Sequence, residues 1–125
     1  MKDDNTIFIE LIQDKQLRFF LEYLMTYCNG YRESATSDRL AVTLKVDPET
    51  IRSWVRRLRE MGFPVCSTGK GYYYAATVMD VKRTVHWLGN MIKSISKTRL
   101  LMIRAAMEHF KPWELGDLFE SDDTI

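Results

Sequence analysis

At 125 residues, with 46% apolar and 28% charged side chains and a formal net charge of +1, the chain is sized for one compact domain with a core plus an appended element. No apolar run approaches the roughly 18 residues of a membrane span, and MKDDNTIFIELIQDK carries two aspartates where a secretory leader carries positive charge, so a cytoplasmic chain without membrane contact is expected. Cys28 and Cys66 lack metal-ligand spacing and read as buried, reduced thiols. Charge is distributed unevenly. Residues 1–31 hold three basic and five acidic groups, residues 112–125 hold five acidic groups and no basic one, and residues 32–111 hold fifteen Lys and Arg against seven Asp and Glu. A polyanion would therefore meet the middle of the chain.

Taken in order, IFIELI at 7–12 is too short to separate a strand from an extra helical turn, with helix the preferred reading. From Asp14, a suitable N-cap, Leu17, Phe20, Leu21, Leu24, Met25 and Cys28 fall on one side of a helix that Asn29 and Gly30 stop. SDRLAVTLKV then predicts a helix of about two turns, capped by Ser37, with Leu40, Ala41 and Leu44 inward. Asp47 caps a third helix, Pro48 occupies its first position, and Gly62 ends it. Its inward stripe is Ile51, Val55 and Leu58 with Trp54 and Met61, which leaves Glu49, Arg52, Ser53, Arg56 and Arg57 outward and Thr50 and Arg59 at the margins. Trp54 reads as a core aromatic rather than a base-stacking group. FPVCS and YYYAA follow as two short strands around TGKG, and period-two alternation predicts that Tyr73 differs in burial from Tyr72 and Tyr74. The fold class expected is mainly α with a small β-hairpin.

From Thr77, paired with Asp80 in a possible capping box, a helical register runs to Lys111 and Pro112 with Gly89 as its one weak point. Val78, Val81, Val85, Leu88, Ile92 and Ile95 keep a 3-4-3-4-3 spacing, after which Arg99 takes the next seam position and Leu100, Ile103, Met107 and Phe110 resume one residue later. A break or rotation near 96–99 is expected. A helix of this length extends about 50 Å, so the seam calls for a partner, either the helix from 14 to 28 or a second copy of the chain. In the acidic tail, Trp113, Leu115, Leu118 and Phe119 are positioned to dock a short helical turn.

Two helices joined by a tight turn, the second basic on its outward face and followed by a Gly-containing hairpin closed by tyrosines, resemble the winged helix-turn-helix modules of the biotin-operon-repressor type. The resemblance covers about residues 15–76 and rests on SDRLAVTLKVDPETIRSWVRRLREMGFPVCSTGKGYYYA. Similar modules followed by a long helix occur in small phage-encoded regulatory or replication proteins, a broader likeness that residues 77–110 share. The organisation implied is an N-terminal extension at 1–13, a winged helix-turn-helix domain at 14–76, a long helix for dimerisation at 77–111 and an acidic tail at 112–125. The resemblance implies double-stranded DNA as the partner, with helix 48–61 in the major groove and the turn at 67–71 on the backbone or minor groove. It assigns DNA contact to Lys45, Glu49, Thr50, Arg52, Ser53, Arg56, Arg57 and Lys70. Val81, Val85, Leu88, Ile92 and Ile95 are the expected homodimer contacts.

An enzyme is not expected. His86 and His109 have no metal-ligand neighbours in sequence, no nucleophile motif or carboxylate pair is visible, and TGKGY lacks the spacing of a phosphate loop. No cofactor or metal is expected. The competing reading is a protein-interaction module that modulates another factor through the winged helix, the long helix or the acidic tail.

Overall fold

The computed structural model describes residues 9–118, which are mainly helical with one two-stranded antiparallel hairpin. They divide between two compact units, 1–87 and 88–125. In the first unit, α1 spans Lys15–Tyr27, and Asp14 Oδ1 accepts hydrogen bonds from the Gln16 and Leu17 N–H groups at 3.0 and 3.1 Å. That cap satisfies two of the donors a helix start leaves unpaired. Leu17, Phe20, Leu21 and Leu24 are fully buried, as their spacing demands. Ahead of the cap, Ile9 and Glu10 are helical, and Ile9 and Ile12 enter the same core. Leu11 is an exposed turn residue, and residues 7 and 8 lie outside the described residues.

A short 3-10 turn at Tyr31–Glu33 leads to α2, Ser37–Leu44. Its cap is Thr36 rather than Ser37, because the Thr36 hydroxyl accepts from the Arg39 N–H at 3.2 Å while Ser37 already has helical geometry. Next comes α3, Pro48–Glu60, with Asp47 as N-cap residue and Gly62 in the left-handed region (φ +94°) just past its end. Ile51, Trp54, Val55 and Leu58 are buried, and the Phe20 and Trp54 rings meet at 5.3 Å. Met61, expected inward, is instead 51% exposed, since it falls beyond the last helical turn, where the chain has left the stripe.

The hairpin comprises β1, Val65–Thr68, and β2, Gly71–Tyr74, in the register Val65 to Tyr74 through Thr68 to Gly71. Two four-residue strands do not stand alone in water. Here both outer edges are saturated from elsewhere in the unit. Along β2, Tyr72 and Ala35 exchange two backbone hydrogen bonds at 2.8 and 3.0 Å, and Tyr74 bonds Cys28 and Gly30 at 2.8 Å each. Along β1, Arg59 Nε donates to the Val65 carbonyl at 2.9 Å, and the Thr84 hydroxyl accepts from Ser67 N–H and donates to Ser67 C=O. Tyr73 and Tyr74 are both buried, against the alternation expected, because the hairpin base is covered on both faces. Tyr72 alone is partly open.

The long helix α4, Val78–His109, opens with Asp80, whose Oδ2 accepts from the Ala76 and Thr77 N–H groups at 2.9 and 3.3 Å. Asp80 and Thr84 are buried and Val81 packs against the core. The helix is continuous through 96–99 and through Gly89, so the shift in seam register breaks no backbone hydrogen-bond ladder. In the second unit, α4 is followed by the short α5, Pro112–Leu115, where Glu114 accepts from the Lys111 N–H at 2.7 Å. Leu115 and Leu118 are half-buried, Trp113 is 78% exposed rather than docked, and Phe119 lies outside the described residues.

The two turn glycines differ in what they permit. Gly71 adopts φ +127°, and a Cβ there would collide with the Ala35 carbonyl, whereas a Cβ on Gly69 meets open space. Gly71→Ala should therefore cost on the order of 1–3 kcal/mol in urea unfolding, while Gly69→Ala should leave the midpoint unchanged. Equal effects at the two positions would contradict this account of the turn.

Candidate nucleic-acid interface

Between α2 and α3 the chain reverses over Lys45–Asp47. Lys45 caps α2 in the left-handed conformation (φ 59°, ψ 47°), and the Val46 N–H returns to the Ala41 carbonyl at 3.0 Å. A non-glycine residue in that conformation is uncommon, and this one lets α3 begin within three residues with Pro48 already in helical geometry. With its apolar side buried, α3 leaves Glu49, Arg52 and Arg56 exposed and Thr50, Ser53 and Arg57 half-buried. Lys45 is exposed at the turn, and Lys70 is exposed at the hairpin tip, where its N–H bonds the Thr68 hydroxyl at 3.4 Å.

The arginines, three expected outward and Arg59 at the margin, separate by partner. Arg52 pairs with Glu49 one turn back and donates to the Ser37 hydroxyl of α2 at 3.4 Å. This holds its guanidinium beside the start of α2 while about half of the side chain stays exposed (48%). Arg56 has no hydrogen-bond or ion-pair partner among the described residues. Arg57 is engaged with the α1 cap, donating to Asp14 Oδ2 at 3.1 Å. Arg59 turns to the hairpin, bonding the Val65 carbonyl and, at 2.8 Å, the Ser67 hydroxyl. Two cations thus remain on the open face, a third ties α3 to α1, and the fourth ties α3 to β1. Helical periodicity carries no signal for the last two roles, since the partners lie 43, 6 and 8 residues away in sequence.

Of the expected dimer contacts, Val81 is used by the chain's own core, whereas Val85 is 62%, Leu88 38%, and Ile92 and Ile95 each 64% exposed. The thiols of Cys28 and Cys66 are free and buried, and burial pushes both above the usual thiol range. Among the described residues no group of three or more His, Cys, Asp and Glu side chains is placed to hold a metal ion, and no helix is long and apolar enough to cross a membrane. Compared with protein-family models, with curated proteins and with solved structures, the chain gave no significant match.

Asp14 joins the α1 cap to α3 through its two oxygens. The Leu17 N–H, followed by the Arg57 guanidinium, holds its carboxyl below the ordinary value. A depressed carboxylate stabilises the fold above its unfolded pKa, and that contribution disappears as pH falls through the native value. Asp14→Asn retains a capping oxygen but loses the charge. Its stability should consequently fall less than the wild type's when thermal midpoints are followed downward from about pH 6 to pH 2. Parallel acid profiles would remove Asp14 from the linkage.

Proposed function

We propose that residues 14–76 form a winged helix-turn-helix domain, and that the protein is a sequence-specific double-stranded DNA-binding regulator of transcription acting as a homodimer. The observation that carries this reading is the α3 surface. One side of the helix is completely committed to the core, and the other presents Arg52 and Arg56, one turn apart, on the second member of a tightly joined helix pair. A guanidinium in that position matches guanine O6 and N7 or a phosphate in two parallel hydrogen bonds. The edge-saturated hairpin supports the reading by holding Lys70 on a fixed turn, and the local basic surplus of residues 32–111 supplies the attraction a polyanion requires. In this arrangement α3 lies in the major groove and the 67–71 turn on the backbone or minor groove. Arg57, tied to Asp14, acts in positioning α3 more than in reading bases.

A second reading, an interaction module for another protein, draws on a groove of about 430 Å3 lined by Phe19, Tyr23, Leu44, Val46 and Trp54, with Phe19 59% exposed. Binding of random duplex DNA at low salt, released by moderate salt, separates the two: the DNA-binding reading requires retention, the other flow-through. A selection of bound duplexes then supplies the specific site. On that site Arg52→Ala or Arg56→Ala should weaken binding by roughly 1–3 kcal/mol where the side chain reads a base, while Lys70→Ala should weaken all sequences alike and lower the salt slope by about one. Wild-type affinity in both folded α3 variants would take this helix out of the groove.

Exposed apolar side chains along α4 support the proposed self-association. Val85, Leu88, Met91, Ile92 and Ile95 are exposed, and a contiguous apolar patch of this sort is uncommon on a monomer. A second copy offering the same seam would cover it and present two recognition helices to a two-part site. In sedimentation the wild type should run as a dimer, and Leu88→Asp and Ile92→Asp as folded monomers, because a charge buried in an apolar seam is costly. A wild type that stays monomeric at tens of micromolar, with or without DNA, would overturn the dimer.

A further inference from the structure

Tyr31 sits on the 3-10 turn between α1 and α2, and its half-buried ring has three notable neighbours. The Tyr73 ring meets it edge-on, 5.8 Å between centroids and 84° between planes. The Arg83 guanidinium carbon lies over the ring 4.7 Å from its centroid, and Lys70 Nζ lies over it at 5.8 Å. Both are cation–π distances, so one aromatic ring gathers a charge from the hairpin tip and another from α4, no farther apart than the sum of those distances. Arg83 is also held by Asp80, whose Oδ1 accepts from its Nη1 at 3.1 Å. The other Asp80 oxygen is taken by two backbone amides, and the Arg83 side chain remains 50% exposed.

The balance of charge around the ring is positive. Arg32, exposed and next along the turn, lines the same surface cavity as Tyr31, Asp80 and Arg83, with Glu33 as the other acid there. Arg32 and Glu33 offset each other in that cavity, and over the ring itself two cations, Lys70 and Arg83, stand against the single carboxylate of Asp80, which is buried and already accepting from amides. Drawing like charges onto one platform is unfavourable by Coulomb repulsion unless an anion joins them. Planar guanidinium donors fit phosphate oxygens in particular, and side chains already fixed on a ring lose less freedom on binding.

We propose that Tyr31, Lys70 and Arg83 form a phosphate clamp that grips the backbone of duplex DNA beside the hairpin, separate from the base-reading face of α3. The clamp rests on the DNA-binding reading given above, and it adds a contact from the long helix that ties the position of α4 to the duplex. Tyr31 is a positioning residue, and Arg83 and Lys70 touch phosphate.

The test is a salt titration of binding to the selected duplex by the full-length wild type, Arg83→Gln, Lys70→Gln and Arg52→Ala, with glutamine at 83 keeping a donor for Asp80. Loss of each clamp cation should reduce the drop in affinity between 50 and 200 mM salt by about 3.5-fold and leave the order of preferred sequences unchanged. Phosphate-ethylation interference should lose a discrete set of backbone positions in Arg83→Gln. A wild-type salt slope and interference pattern in Arg83→Gln, alongside weakened Arg52→Ala, would overturn the clamp and leave the functional reading standing. A wild type that ignores duplex DNA but binds an acidic polypeptide would overturn both.

Discussion

The backbone pairing of Ala35 with Tyr72 is the constraint on which the first unit depends. Its two hydrogen bonds fix β2 against the segment that joins α1 to α2, and Gly71, with no side chain, is what allows the two backbones to come that close. Once β2 is placed, antiparallel register places β1, and β1 in turn presents Val65 and Ser67 to Arg59 and Thr84. The outward backbone groups of Ser67, Tyr72 and Tyr74 and the Val65 carbonyl, which would otherwise be exposed at a sheet edge, are thereby answered by α3, α4 or the linker. A two-stranded ribbon too short to be stable by itself becomes a rigid part of the domain.

That arrangement explains why arginines that look alike in sequence do different work. A solvated helix face with several cations has no reason to order them, and exposed ion pairs add little to stability. What orders Arg57 and Arg59 is the presence, at either side of α3, of an acceptor fixed by other means: Asp14 by its role as the α1 cap, and the Val65 carbonyl by the hairpin. Arg52 and Arg56 have no such fixed acceptor outside their own helix pair, and their guanidinium groups stay on the open face of α3. The same logic applies at Asp80, which closes the start of α4 with one oxygen and orients Arg83 with the other.

Apolar surface is divided with equal economy. Leu17, Phe20, Leu21, Leu24, Leu40, Ile51, Leu58 and Tyr73 make one core at essentially complete burial, and each such side chain contributes about 1.5–3 kcal/mol. Val81 is the last seam residue of α4 packed on that core. From Val85 onward the seam residues Val85, Leu88, Ile92 and Ile95 are all exposed, so the same 3-4 spacing serves first the chain's own interior and then an open stripe.

By itself the sequence determined the three short helices, their buried stripes apart from Met61, the hairpin and the long helix, because each is written in local terms: a 3.6-residue apolar period, a cap at Asp14 or Asp47, a glycine at a helix end or turn. It also determined which face of α3 carries charge. Tertiary structure alone decided what that charge meets, since the partners of Arg57 and Arg59, like the Tyr31 ring beneath Arg83, lie on elements brought together by folding and leave no periodic trace. It likewise decided that Tyr74 is buried beside Tyr73, for alternation describes a sheet with one open face and this hairpin is covered on both at its base. Continuity of α4 past residue 96 was decided by the backbone: a helix needs only its own hydrogen bonds to continue, whereas an apolar seam that slips by one residue changes merely which direction the side chains face.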